Sequence, residues 1–161
     1  LDISPLGKLG PEPLSSAFCG STLHESLRRT KQAIKPKLLD QALIAGVGNI
    51  YASESLFRAR ISPRKMARRL SSTQCNVLAE VIRKVLSEAI ECGSTVPLDF
   101  AGQGARDGLF YYGSAPNAAG YEEHLRVYDR EGEPCEQCGA PILKIVQAAR
   151  STYYCAKCLR E

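Results

Sequence analysis

A chain of 161 residues, 44% of them apolar, is long enough for one ordinary domain or two small ones with a packed core. No run approaches the ~18 consecutive apolar residues of a transmembrane helix, and the opening LDISPLGKLGPEPLSS lacks a basic-then-apolar signal pattern. The expectation is a soluble cytoplasmic protein with no membrane partner. The formal net charge is only +4, but it is unevenly spread. RRTKQAIKPK (Arg28 to Lys37) holds five basic residues and no acid, and RARISPRKMARR (Arg58 to Arg69) holds six and none. Such clusters suit a polyanion or form a solvated helix face.

Residues 1–14, with three prolines and two glycines, read as an extended linker. Ser15 or Ser16 is a candidate cap for a short helix, with another through LHESLRR. Lys35–Pro36 places proline at a first helical position. Leu38, Leu39, Ala42 and Leu43 then give a helix expected to end at Gly46. A second helix is expected from Asn49, as N-cap, to about Arg60, where Ser62–Pro63 breaks it. Ser71 and Gln74 form a capping-box pair. Behind it, Leu78, Val81, Ile82, Val85 and Ala89 mark one face of a long helix that should stop at Gly93. From Gly93 to Gly120 the chain is glycine-rich and poor in aliphatics, which reads as a long loop. LRVYDREGEPC and ILKIV…STYYC read as short strands. The fold class expected is therefore mainly α with a small β-hairpin.

Four of the seven cysteines form two CxxC pairs, Cys135–Cys138 and Cys155–Cys158, with sixteen residues between them. Each two-residue spacer lets both thiolates reach one ion, and two such pairs complete a tetrahedral zinc site with no position left for a catalytic water. The even spacing favours one structural zinc over an iron–sulfur or redox pair. Four thiolates and Zn²⁺ sum to −2, which takes the formal +4 to +2. The insert reads strand–turn–strand, PILKIV, QAAR, STYY. Arg150 then lies at the end far from the metal, as a phosphate-seeking arginine or a solvated turn residue. Cys19, Cys75 and Cys92 read as buried small apolar residues, and His24 and His124 as structural or surface groups.

GVGN (Gly46 to Asn49) joins the two short helices. The free amides and positive dipole end of the second helix can hold an anion. Gly48 would let a phosphate approach closely, with Asn49 adding a donor and Lys31 and Lys35 nearby. The alternative is a plain helix–helix connection capped by Asn49.

IKPKLLDQALIAGVGNIYASESLFRARISP, a long helix, then VYDREGEPCEQCGAPI…ARSTYYCAKC, in that order, resembles the C-terminal half of formamidopyrimidine-DNA glycosylase. LGPEPLS resembles that family's interdomain junction. The resemblance implies a linker remnant (1–14) and a helix–two-turn–helix DNA-binding domain (15–100). It further implies a lesion-capping-type loop (101–124) and a zinc finger (125–161). It implies a bacterial-type, nucleoid-associated base-excision-repair enzyme, a monomer on duplex DNA bearing an oxidised base or abasic site. Such enzymes remove 8-oxoguanine and formamidopyrimidines, then cleave the strand by β- and δ-elimination. By resemblance Asn49, Gly48, Lys31 and Lys35 meet the DNA, and Arg150 grips phosphate and donates the proton in δ-elimination. Cys135, Cys138, Cys155 and Cys158 hold one zinc. The family's nucleophile, an N-terminal proline followed by glutamate, has no match here, so the chain alone is expected to be catalytically silent, apart from adventitious trapping by the Leu1 amine. The segment YYGSAPNAAGYEEH is longer than the family's usual one. Ala149 stands where glycine or glutamine is common, and Leu159 where glutamine is. The rival readings are a stand-alone, non-catalytic DNA-binding module and a zinc-ribbon interaction domain with no DNA role.

Overall fold

A computed structural model describes residues 9–91 and 124–159. Among the described residues, four α-helices and a short 3-10 helix (Ala67–Arg69) precede one hairpin: α1 (Gly20–Leu27), α2 (Ile34–Leu38), α3 (Asn49–Arg58), α4 (Ser72–Glu91), β1 (Leu143–Gln147) and β2 (Arg150–Tyr154). This is the mainly helical fold with one small hairpin that the sequence predicts. The stop expected at Gly93 and the glycine-rich stretch up to residue 123 lie outside the described residues.

The helix expected at Ser15 or Ser16 is instead a set of turns, with Ser15 Oγ donating to the Glu12 carbonyl at 2.8 Å. The N-cap is Cys19, whose amide donates to Thr22 Oγ1 at 3.1 Å. Cys19 is therefore half-exposed and not a core residue, and hydrogen bonds from Ser21 and Thr22 draw its thiol down to about 7. Cys75 is fully buried, as expected.

Pro36 falls at the third residue of α2, still in the first turn, where a missing N–H costs nothing. The helix does not continue to Gly46, because side chains outbid the helical ladder. Asp40 accepts the Ala42 amide at 3.0 Å through Oδ1 and holds Lys37 Nζ at 2.6 Å through Oδ2. Gln41 Oε1 takes the Gly46 amide at 2.8 Å. The result is a short helix, a second turn closed by Leu43 N to Asp40 O at 2.9 Å, and a reversal at Gly46. There φ is +81°, which glycine adopts without strain.

α3 stops at Arg58 in a Schellman arrangement, Ile61 N to Leu56 O at 3.0 Å and Arg60 N to Phe57 O at 3.1 Å. Arg60 takes the left-handed conformation, φ 56°. The capping box at α4 forms as read: Gln74 N meets Ser71 Oγ, and Ser71 N meets Gln74 Oε1, both at 3.1 Å. Leu78, Ile82, Val85 and Ala89 are buried along it.

Two cores meet at α3. Ala52 and Leu56 join Phe18, Leu27, Leu38, Ile44, Leu78 and Ile82 in the helical core. Phe57 turns the other way, into the cluster of Val127, Tyr128, Ile142, Tyr153 and Leu159 around the cysteines. The hairpin is antiparallel, Leu143 opposite Tyr154 and Gln147 opposite Arg150. Its two-residue turn, Ala148–Ala149, has φ 48° and 60°, the left-handed pair of a type I′ turn. LRVYDREGEPC is not a strand. Turns fill it, because the buried carboxylate of Glu54 takes the amides of Arg126, Val127 and Tyr128 at 2.8–3.0 Å.

Candidate nucleic-acid interface and metal centre

The metal centre follows from local turns. The Gly139 amide donates to the Cys135 carbonyl, and the Cys135 amide to the Ala140 carbonyl, each at 2.8 Å. With Gly139 at φ +71°, the loop folds both sulfurs of the first pair inward. The four sulfurs lie within 4.8 Å of one another, with Cys135–Cys158 at 3.7 Å and Cys138–Cys155 at 3.4 Å. A tetrahedral zinc with ~2.3 Å bonds sets its sulfurs ~3.8 Å apart, so the donor set and its size fit one zinc ion. Among the described residues no other group of histidine, cysteine or carboxylate side chains converges in this way. Four thiolates fill the coordination sphere. The ion's contribution when bound is to staple the hairpin base to the Cys135–Cys138 loop.

At the other end of the hairpin, α2, α3 and β2 converge. Lys35, the second residue of α2, is completely buried. Its ammonium donates to Asn49 Oδ1 and to the main-chain carbonyl of Ser151 at 3.2 Å. Asn49 Nδ2 donates to the same carbonyl at 3.0 Å. Burial, and then the positive charge of Arg150, push the Lys35 ammonium down to about 8. Asn49 is thus the first residue of α3 and not its cap. The cap position is Gly48, and no side chain closes the start of the helix. A Cβ added at Gly48 would meet nothing within 4 Å, so the cap position itself borders open space.

Of the residues singled out in the sequence, Lys35, Asn49 and Arg150 come together at this junction. Arg150 is exposed and is the first residue of β2, not a turn residue. Lys31 is exposed. His124 is exposed and pairs with Glu136 at 2.9 Å. Sequence reasoning missed three participants. Ser151 acts through its backbone and leaves no signal in its side chain. Gln147 donates to the Pro63 carbonyl at 3.2 Å, tying β1 to the loop after α3. Glu54 was detectable as a lone acid among the apolar residues of α3.

Two family models match the chain: the H2TH domain of formamidopyrimidine-DNA glycosylase over residues 9–99, and the zinc finger found in FPG and IleRS over residues 132–160. The formamidopyrimidine-DNA glycosylase of Cronobacter sakazakii is 48% identical over 153 residues, which are 95% of this chain and 53% of that protein. The crystal structure of the MutM (Fpg) protein of Thermus thermophilus superposes with a TM-score of 0.77 at 42% identity, covering 96% of this chain and 55% of that one. The Lactococcus lactis Fpg complexed with DNA containing an abasic site gives 0.78 at 36% identity, over 97% and 53%. The chain spans about half the length of the curated relatives it matches. With both domains in register and the cysteine quartet in place, the chain belongs to the formamidopyrimidine-DNA glycosylase family.

Proposed function

We propose that this chain is the DNA-clamping portion of a base-excision-repair glycosylase/AP lyase acting on oxidised purines in duplex DNA. The observation that carries the reading is the junction of Lys35, Asn49 and Ser151, which fixes the exposed Arg150 beside the uncapped start of α3. A helix start with no side-chain cap and an adjacent guanidinium is a phosphate-binding arrangement. A relative of the same fold is Fpg in complex with DNA containing an abasic site.

In this reading Gly48 and Asn49 present α3's amides to a phosphate next to the damaged nucleotide. Lys35 and Lys31 supply positive charge behind and beside it. Arg150 grips a second phosphate and donates the proton in δ-elimination. Cys135, Cys138, Cys155 and Cys158 hold one structural zinc that takes no part in the chemistry. Attack on the sugar C1′ belongs to the N-terminal proline of the family, and these 161 residues by themselves open no glycosidic bond. The whole protein works as a monomer on nucleoid DNA in the cytoplasm. Its four segments are those read from the sequence, with the loop 101–124 over an everted base.

The test is binding to a duplex carrying an abasic-site analogue. Asn49→Ala and Arg150→Ala should each weaken binding roughly 10-fold, about 1.4 kcal/mol, with little dependence on sequence, because phosphate contacts position without specifying. Borohydride should trap no more than a trace of covalent complex on an abasic duplex, through the Leu1 amine. Wild-type affinity in the double variant overturns the clamp, and robust trapping overturns the silence of the chain.

A further inference from the structure

The two basic runs, about thirty positions apart in sequence, are brought together in the fold. The Ile34 amide donates to the Lys65 carbonyl at 2.8 Å and the Ala67 amide to the Gln32 carbonyl at 2.9 Å, and Ala33 and Met66 form a bridge. The cations of the two runs differ in pairing. Arg28, Lys37 and Arg58 are neutralised by Glu25, Asp40 and Glu88 at 3.2, 2.6 and 2.6 Å. Arg64, Lys65, Arg68 and Arg69 have no carboxylate partner among the described residues. Three of them, Arg64, Lys65 and Arg69, line one cleft of about 510 Å³, with Met66 as its apolar wall.

This cleft adjoins the junction described above. The Pro63 carbonyl, immediately before Arg64, accepts the Lys35 amide at 3.4 Å and Gln147 Nε2 at 3.2 Å. The hairpin carrying Arg150, the start of α2 and the basic cleft thus share one anchor. The geometry points to a second phosphate-binding surface: the cleft of Arg64, Lys65, Met66 and Arg69 holds the duplex backbone flanking the segment gripped at the junction.

This inference rests on the proposed DNA clamp and extends its footprint. Like charges held together repel unless a polyanion screens them, and B-DNA offers one phosphate charge per ~1.7 Å of axis. Met66 suits the apolar face of a deoxyribose between two phosphates. An acidic protein segment could use the same charges, but the shared Pro63 anchor favours the backbone already leading to this site.

Binding is measured against salt for two duplexes with a central abasic-site analogue, one of about one helical turn (~10 bp) and one of ~25 bp. The proteins are wild type, Arg64→Gln/Arg69→Gln and Arg64→Lys/Arg69→Lys, with folding checked by thermal melting. The glutamine variant should bind the longer duplex roughly 10-fold more weakly, with a salt slope shallower by about 2. It should match wild type on the shorter one. The lysine variant should restore the slope. Wild-type affinity and slope for the glutamine variant on the longer duplex overturn the second site while leaving the clamp intact. Failure of wild type to bind either duplex overturns the clamp and this extension together. If the glutamine variant loses a polyglutamate peptide and keeps its duplex affinity, the cleft takes acidic protein and the DNA assignment falls.

Discussion

Lys35 Nζ reaches the main-chain carbonyl of Ser151 at 3.2 Å, across 116 positions of sequence. A completely buried ammonium thereby ties the helix pair to the zinc hairpin, and its stabilisation depends on that one carbonyl and Asn49. The folded protein holds Lys35 at about 8, below its ordinary 10.5, through burial and then Arg150. Between those values the unfolded chain binds the proton that the folded one has released, so Lys35 adds stability as pH rises from about 8 to 10.5. Denaturant melts of wild type against Lys35→Met should show this rise only in wild type, on the order of 2 kcal/mol. Parallel pH profiles would show that the ammonium is not strained by burial.

Gly20 begins α1 where it crosses α4. A Cβ there would lie 2.4 Å from Asn76 Cα and 2.7 Å from its amide nitrogen, and backbone cannot swing aside. Gly20→Ala should cost about 3 kcal/mol and lower Tm by roughly 10 °C. A melting point unchanged within about 2 °C would mean that the two helices are further apart than this.

The hairpin turn places two alanines in left-handed backbone, Ala148 at φ 48° and Ala149 at φ 60°. Each is opposed by about 1 kcal/mol that glycine would not incur. Ala149→Gly should raise Tm by roughly 2–3 °C, and Ala148→Asn with Ala149→Gly by more, since Asn-Gly is the favoured type I′ pair. A fall in Tm in both variants would count against this turn.

Chelation should affect the two cores unequally. Tyr128 and Tyr153 pack edge to face at 5.0 Å in the core around the cysteines. Removing about one zinc per chain should abolish their near-ultraviolet signal. The helical core, which contains no metal ligand, should keep its far-ultraviolet signal. Duplex affinity should fall about 100-fold, as Arg150 and the Ser151 carbonyl lose their position. Loss of both signals together would show one cooperative unit.

Features that depend on close neighbours were legible in the sequence. The two CxxC loops, the Ser71–Gln74 capping box and the apolar stripe of α4 are each complete within a few residues, so their chemistry is fixed before the chain folds. The grouping of Lys35 with Asn49 was legible in part, because GVGN forces the helices on either side of it close together. The brevity of α2 is a local outcome too, since Asp40 and Gln41 spend their side chains on nearby turns, whereas the packed fold alone set Lys35 against the Ser151 carbonyl. It also turned Asn49 from a cap into a tie to Ser151, and made Glu54 the acceptor for three amides more than seventy residues away. The same holds for the pairing of the two basic runs. A buried polar group must find its partner wherever the packed core brings one, and sequence separation carries no trace of that choice.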